Sequence, residues 1–425
     1  MQSARCRGGS PGCVLLLGVW GIGVKSVGWH VIGSKKIPRS VVKLSHFPLS
    51  PRFMSKTVLI TGGAGFIGSH LADELLRCGY RVRALDTLTA QVHGAEAGRP
   101  GYLAADVELI TGDLCDRKLL RRALEGVSIV YHFAAKVGVG QSMYRVADYT
   151  AVNNLGTAVL MEEIVARKIE RLVVASSMSI YGEGFYRDPA GTLVAGSERS
   201  AEQLRARQWE LLDPAGEPLV PVPTSEEKPP SLASVYALSK FDQERMCLML
   251  GRAYKIPTVA LRFFNVYGPR QSLSNPYTGV LAIFAVRLLN GRPPLIFEDG
   301  QQQRDFVNVA DIARACRLAI ETPQAADQVF NIGSGRPITI CAVAARLAEV
   351  LGSSGLEAQI TGNYRAGDIR HCFADITRAR EVLGYEPRVS FDAGLEELGG
   401  WLEGQIAVDR LPEARVELLE RGLSV

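Results

Sequence analysis

The 425-residue chain has little with which to cross-link itself or hold a metal: eight cysteines stand at 6, 13, 78, 115, 247, 316, 341 and 372 with no Cys-x-x-Cys pair, and there are only six histidines. Scattered thiols of this kind fit a reduced, cytosolic protein and argue against a zinc site. No later stretch approaches the ~18 consecutive apolar residues needed to cross a membrane. Acidic groups are absent from residues 1–53, which carry eight Lys or Arg, so the chain from Met54 onward holds 40 basic against 44 acidic residues. The formal charge of +4 therefore hides a body near −4, with no basic surface for nucleic acid.

Residues 1–53 are set apart as a leader. They have the basic start and apolar Val14–Val24 run of a signal peptide but no small-residue cleavage site. They share the Arg and Ser content of a transit peptide but not its amphipathic spacing. The favoured expectation is that translation starts at Met54, directly before the first strand, with a targeting segment as the alternative.

From Thr57 the pattern is strand, glycine turn, helix. Thr57-Val-Leu-Ile-Thr61 is a short β-branched run, and Gly62-Gly-Ala-Gly65-Phe66-Ile67-Gly68 leads into a helix over Ser69–Arg77. Such a loop needs Gly62 for a tight turn, Gly65 for close approach of backbone N–H groups to a pyrophosphate, and Gly68 for helix packing. A second strand, Tyr80–Leu85, runs into Asp86, where a carboxylate can take the adenosine ribose hydroxyls and repel a 2′-phosphate. The cofactor read from this unit is NAD rather than NADP.

The alternation continues through Val107–Thr111, a helix near Arg117–Leu124, Ser128–Ala134, a long helix about Ala147–Lys168, and Arg171–Ser177. Regular βα repetition predicts an α/β fold with a doubly wound parallel Rossmann sheet and ligands at the carboxyl ends of its strands. Three of those ends carry Asp113 with Leu114, Ala134-Ala135-Lys136, and Ser176-Ser177; each alone reads equally well as an ordinary strand terminus. Further on, Tyr236-Ala-Leu-Ser-Lys240 places a phenol and an ammonium on one helical face. A phenol near pKa 10 becomes a useful base at neutral pH only beside a fixed positive charge, which Lys240 can supply. In isolation such a pair is a solvated helix face; behind a dinucleotide loop and a Ser-Ser strand end it reads as catalytic.

At this point the chain resembles the extended short-chain dehydrogenase/reductases that act on nucleotide sugars, the NAD-dependent epimerase/dehydratase family, over about Lys56 to Gly404. Thr61 to Gly68 matches the family's Thr-Gly-x-x-Gly-x-x-Gly, and Tyr236 to Lys240 its Tyr-x-x-x-Lys. The resemblance implies Ser177, four residues before the Tyr181-Gly182 pair, as the catalytic hydroxyl. It implies Asp86, Asp113 and Lys136 as holders of the adenosine and nicotinamide-ribose portions, and Asn153 as a cofactor-side asparagine. In the second lobe it implies Asn265 and the guanidiniums of Arg304 and Arg365 on the sugar diphosphate, with Asp368 at the nucleotide ribose. Within the family the runs 177–184 and 270–279 are most similar to the dTDP-L-rhamnose 4-epimerase type.

The expected chemistry is inversion at C4 of a nucleotide-diphosphate sugar through a transient 4-keto sugar, with UDP-glucose or UDP-glucuronate as the alternative substrate. A 4,6-dehydratase is disfavoured because Met178 and Ser179 stand where that branch has an Asp-Glu pair. A net keto-reductase or dehydrogenase shares the same triad, and an NAD-binding regulator with a relic site is the non-enzymatic reading.

The expected layout is a Rossmann domain over 54–264 with an insertion at 185–233, resembling an extra lobe or lid over the sugar side. A smaller C-terminal α/β substrate lobe covers 265–405, with strands near 305–309 and 328–332 returning to the Rossmann side, and a tail follows over 406–425. By resemblance the helices 147–168 and 234–254 form a homodimer interface.

Overall fold

The computed structural model describes residues 56–94, 98–365, 367–405 and 407–423, so the leader 1–53 lies outside the described residues. The first strand, β1 (Thr57–Thr61), keeps Val58, Leu59 and Ile60 fully buried. Both its faces are covered, which is why the run is continuously apolar and β-branched rather than alternating. It heads a seven-stranded, all-parallel sheet with β2 (Arg81–Asp86), β3 (Glu108–Thr111), β4 (Val127–His132), β5 (Arg171–Ser177), β6 (Thr258–Phe263) and β7 (Gln328–Ile332). The spatial order is β7-β6-β5-β4-β1-β2-β3, so the winding reverses between β1 and β4. That reversal opens the crevice in which doubly wound sheets bind ligands.

Two apolar layers flank the sheet, one including Ile60, Leu71, Tyr131 and Phe330, the other Leu59, Val130, Leu160 and Val174. The first helix begins at Phe66, three residues earlier than the sequence suggests, because Gly65 already caps it. The long helix expected over 147–168 is broken into Val146–Tyr149, a π-helical turn over Thr150–Leu155, and Gly156–Ile164.

A second sheet sits beyond the strand ends. Asn265–Tyr267 pairs in parallel with Gln303–Asn308, which also pairs antiparallel with Pro337–Thr339 and parallel with His371–Cys372. Here one expectation is corrected: 328–332 joins the large sheet beside β6, but 303–308 does not return to it and forms the spine of this second sheet instead. The reason is geometric, since the chain leaves the large sheet at the carboxyl end of β6, and Asn265–Tyr267, starting two residues after Phe263, pairs there with the later strand. This lobe has its own core, which includes Phe284, Phe306, Leu347 and Leu395.

Within the insertion, Leu193–Ala195, Phe185–Arg187 and Val220–Val222 form a three-stranded antiparallel sheet over a small cluster of Tyr186, Leu211 and Leu219.

Candidate active site

The glycine loop is built by close approach. Gly62 adopts φ +71°, and a Cβ there would lie 2.9 Å from the Ala134 backbone nitrogen; a Cβ on Gly68 would lie 2.4 Å from the Gly62 oxygen. Side chains at these positions would push the loop off β4 and the helix off the loop. Asp86, at the tip of β2, accepts from the backbone N–H groups of Ala64 (3.1 Å) and Leu88 (2.9 Å), which fixes its carboxylate beside the loop.

One cleft of about 1130 Å³ runs from this loop into the second lobe. Its walls include Gly62, Gly65, Phe66, Ile67, Gly68 and Asp86, then Asp113, Leu114, Ala134, Ala135 and Lys136, then Ser177, Tyr236 and Lys240, and finally Asn265, Arg304, Arg365 and Asp368. Residues separated by more than 300 positions in sequence thus share one wall. Asn153 is the exception among the expected residues. It is fully buried behind the wall, where its Oδ1 accepts from the Lys136 N–H (2.7 Å) and its Nδ2 donates to the Lys136 carbonyl (3.1 Å) and to Ser239 Oγ (2.9 Å). The Lys136 side chain donates to Asp148 (3.2 Å).

Tyr236 opens the helix Val235–Tyr254, capped by Ser234, whose hydroxyl accepts from the Ala237 N–H. The Tyr236 N–H itself donates to Ser142 Oγ (3.0 Å). Burial pushes the phenol above its ordinary value, opposed by a side-chain hydrogen bond with Ser177. Ser177 ends β5 and accepts from both the backbone N–H (3.2 Å) and the hydroxyl (2.8 Å) of Ser179. A buried pair locks helix to strand: Arg262 on β6 donates to Glu244 through Nε (2.9 Å) and Nη2 (2.7 Å), and Ser176 donates to the same carboxylate (2.6 Å).

Lys240 departs from the simplest expectation. Its Nζ donates to Gln243 Oε1 at 2.7 Å, and burial pulls its pKa down to about 8. Gln243 in turn donates to Thr157 Oγ1 (2.9 Å), which also meets His132 Nε2 (2.8 Å), while His132 Nδ1 meets Thr61 Oγ1 (2.9 Å). Thr61 Oγ1 also accepts from the Phe133 and Ala134 N–H groups, so its own proton goes to His132 Nδ1. His132 is therefore neutral, in keeping with burial that drives its pKa down to about 3. Gln243, His132 and Ser179 carry no motif spacing of their own; only the wall they support reveals them.

In the second lobe, Asn265 Oδ1 is buried with no hydrogen-bond partner, and so are the Gln271 and Gln302 side-chain oxygens that also line the cleft. Buried polar atoms without partners are rare and point to a ligand. Arg304 is held by the carbonyls of Gln303 and Arg370 (both 2.9 Å) and of Ile369. Arg365 donates to Asp368 through Nε (3.1 Å) and Nη2 (2.9 Å) while its guanidinium stacks 4.8 Å from the Phe297 ring. That contact holds the Asp368 carboxyl below its usual range against the opposing effect of burial. The glycine cradle, the carboxylate at β2 and the phenol–serine pair fit a nicotinamide dinucleotide. The partnerless amide oxygens fit hydroxyl or N–H donors of a polar second ligand, and the two guanidiniums fit phosphate on it.

Comparison with known proteins agrees. The profile of the NAD dependent epimerase/dehydratase family matches residues 58–207 and 210–333. The chain is 35% identical over 355 residues to a dTDP-L-rhamnose 4-epimerase of Burkholderia thailandensis, covering 83% of this chain and 96% of that relative. Among solved structures it is similar to a UDP-glucose 4-epimerase of Thermotoga maritima with UDP-glucose (TM-score 0.66, 30% identity, 82% of this chain and 98% of that one). It is also similar to a UDP-glucuronic acid 4-epimerase of Bacillus cereus in complex with NAD and a fluorinated UDP-glucuronic acid (TM-score 0.67, 27% identity, 82% and 99%).

Proposed function

Because the chain belongs to the NAD dependent epimerase/dehydratase family, with NAD as its cofactor, we propose that it inverts C4 of a nucleotide-diphosphate sugar, with a dTDP-L-rhamnose-like 6-deoxyhexose as substrate. The observation that carries this reading is the single cleft that has Tyr236, Ser177 and the glycine loop along one part of its wall, and Arg304, Arg365 and Asn265 with its partnerless Oδ1 along another.

Bound NAD supplies a reversible hydride acceptor. The chain's own residues do the rest. Tyr236, deprotonated, takes the proton of the 4-hydroxyl and later returns it, so one group serves as base and acid. Ser177 hydrogen-bonds the same sugar oxygen, its orientation set by Ser179. Lys240, one helical turn from Tyr236, contributes positive charge while protonated. Arg304 and Arg365 hold the diphosphate through charge-assisted bonds as the 4-keto sugar turns its other face to the nicotinamide. Buried Met178 and Ser179, with no carboxylate between Ser177 and Tyr181, support epimerisation over 4,6-dehydration.

The protein is further proposed to act in the cytosol as a homodimer. The six described cysteines are all free, and Leu155, Leu238 and Met249 stand exposed on the two helices expected to pair. Incubation with dTDP- and UDP-sugars, followed by NMR of the products, tests the activity. A C4 epimer formed without net consumption of added NADH supports it; stoichiometric oxidation of NADH would assign a reductase instead.

A further inference from the structure

The tail expected over 406–425 contains a helix, Leu411–Glu420, that forms part of the cleft wall. Leu411, Ala414, Arg415 and Leu418 of this helix, and Leu423 beyond it, all line the cleft. Ala414 and Leu418 are buried, yet neither belongs to the two layers flanking the large sheet or to the core of the second lobe. The apolar side of this helix thus faces the cleft rather than a packed interior.

Polar groups hold it at both ends. Before the helix, the Asp409 carboxylate accepts from Arg287 Nη1 (3.3 Å) and Arg292 Nη1 (3.1 Å), and the Val408 N–H donates to Ser274 Oγ (3.2 Å), all three partners belonging to the second lobe. Near its far end, Glu417 Oε2 lies 2.8 Å from Tyr144 Oη and 3.1 Å from Tyr277 Oη, and the two hydroxyls are 2.6 Å apart. The Arg421 guanidinium sits 4.4 Å from the centre of the Tyr144 ring. Tyr144 stands on the Rossmann side, so the helix reaches from one lobe to the other.

Two chains of contact put this clasp at the reactive end of the cleft. Leu418 rests on Gly140, where an added Cβ would stand 3.4 Å from its Cδ2, and two residues further on Ser142 Oγ accepts the Tyr236 N–H (3.0 Å). A Cβ on Gly138 would fall 2.9 Å from Tyr277 Cβ and 3.0 Å from Tyr149 Oη, and the Tyr149 ring meets the Tyr236 ring edge-on at 6.5 Å.

We propose that the helix Leu411–Glu420 is a cover, latched by Glu417 on Tyr144 and Tyr277, that keeps the transient 4-keto sugar in the cleft while it turns its other face. The need is chemical. C4 has by then given its hydride to the nicotinamide and its hydroxyl proton to Tyr236. A keto sugar that escapes leaves both behind, as NADH and a protonated phenol, and a protein in that state cannot oxidise the next sugar. A cover that opens only between turnovers prevents this loss. The proposal rests on the reading of the cleft as a C4 epimerase site.

The test uses the full-length, NAD-loaded protein with dTDP-L-rhamnose, UDP-glucose and UDP-glucuronate. Hydroxylamine in the medium traps released keto sugar as an oxime, counted by mass spectrometry, and bound NADH is followed by fluorescence. Glu417→Leu removes two hydrogen bonds to a charged acceptor, so oxime and bound NADH per epimerisation event should rise about ten-fold or more. Glu417→Gln keeps an oxygen acceptor for the two hydroxyls and should stay within about three-fold of wild type. The double variant Tyr144→Phe/Tyr277→Phe, which leaves the helix itself untouched, should leak as Glu417→Leu does. In both leaking variants amide hydrogen exchange should quicken over residues 411–423 with the melting temperature unchanged. Leakage at the wild-type level from both, or equal leakage from Glu417→Gln and Glu417→Leu, overturns the proposal. Normal NAD binding by the wild type with no epimer, oxime or NADH from any of the three sugars would instead bring down the reading of the cleft, and this inference with it.

Discussion

Lys240 and Gln243 are joined by a buried hydrogen bond of 2.7 Å from ammonium to amide oxygen, and Gln243 passes the contact on to Thr157 and, through it, to His132. The lysine proposed to assist Tyr236 is therefore steered by a side chain three residues further along its own helix.

A pH consequence follows. The folded pKa of Lys240, about 8, lies below its unfolded value of ~10.4. Between those values the unfolded chain holds more protons, so stability contributed at this site rises with pH across that window. Activity that needs the ammonium goes the other way and should fall above pH 8 or so. Gln243→Leu removes the acceptor that favours the charged form, so the basic limb of the kcat/KM profile should move to lower pH. An unmoved limb would detach Gln243 from this role.

Tyr236→Phe keeps the ring volume and removes the ionisable hydroxyl. Epimerisation should fall by about 10²–10⁴-fold, while stability changes by about 1 kcal/mol at most. Ser177→Ala should cost less activity, since it removes an orienting hydrogen bond and not the base. A Tyr236→Phe enzyme within a few-fold of wild type would show that the proton goes elsewhere.

These two predictions rest on features of different legibility in sequence. The Gly62–Gly68 loop and the Tyr236/Lys240 pair are local, because turn geometry and helical spacing fix them within a few residues. Arg304, Arg365 and Asp368 were visible only through resemblance, because a surface arginine has no pattern of its own until the second sheet brings 304 beside 370. His132 and Gln243, 111 positions apart, could not be paired from the sequence at all: each reads as an ordinary residue at a strand end or on a helix. The misplaced strand at 303–308 has the same origin, since hydrophobic alternation identifies a strand but not the sheet it joins.

Asp86→Ala should weaken NAD binding and narrow discrimination against NADP, measured as the ratio of dissociation constants. It also frees the Ala64 and Leu88 N–H groups, so a modest loss in melting temperature should accompany it. A wild-type protein that prefers NADP would contradict the ribose assignment.

Arg370→Met strands Glu210, Glu298 and Asp299 without their shared cation. Glu298 keeps Arg199, and Glu210 and Asp299 are more than a third exposed, so the loss should fall below the roughly 3–5 kcal/mol of a fully buried ion group, with the denaturant midpoint lowered measurably. A near-neutral result would mean that this ionic cluster beneath the insertion is not structurally important.

Light scattering at micromolar concentration should give the mass of a dimer, and Leu155→Glu, at an exposed apolar position on the first of the two helices, should shift it to monomer. A wild-type monomer sinks the assembly proposal.

The π-helical turn at Thr150–Leu155 makes the helix that carries Asn153 a spliced object. A turn of this kind accommodates one residue more than an α-helix would, and at 3.6 residues per turn each residue advances the helix by about 100°. The stretch with Val159, Leu160 and Ile164 in the core and the stretch that aims Asn153 at Lys136 are therefore out of phase with each other by design of the splice. Deleting a single residue there would leave the helix intact by any spectroscopic measure of helicity. Yet it would rotate one half against the other, so that either the core or the clasp on Lys136 keeps its angular setting, but not both.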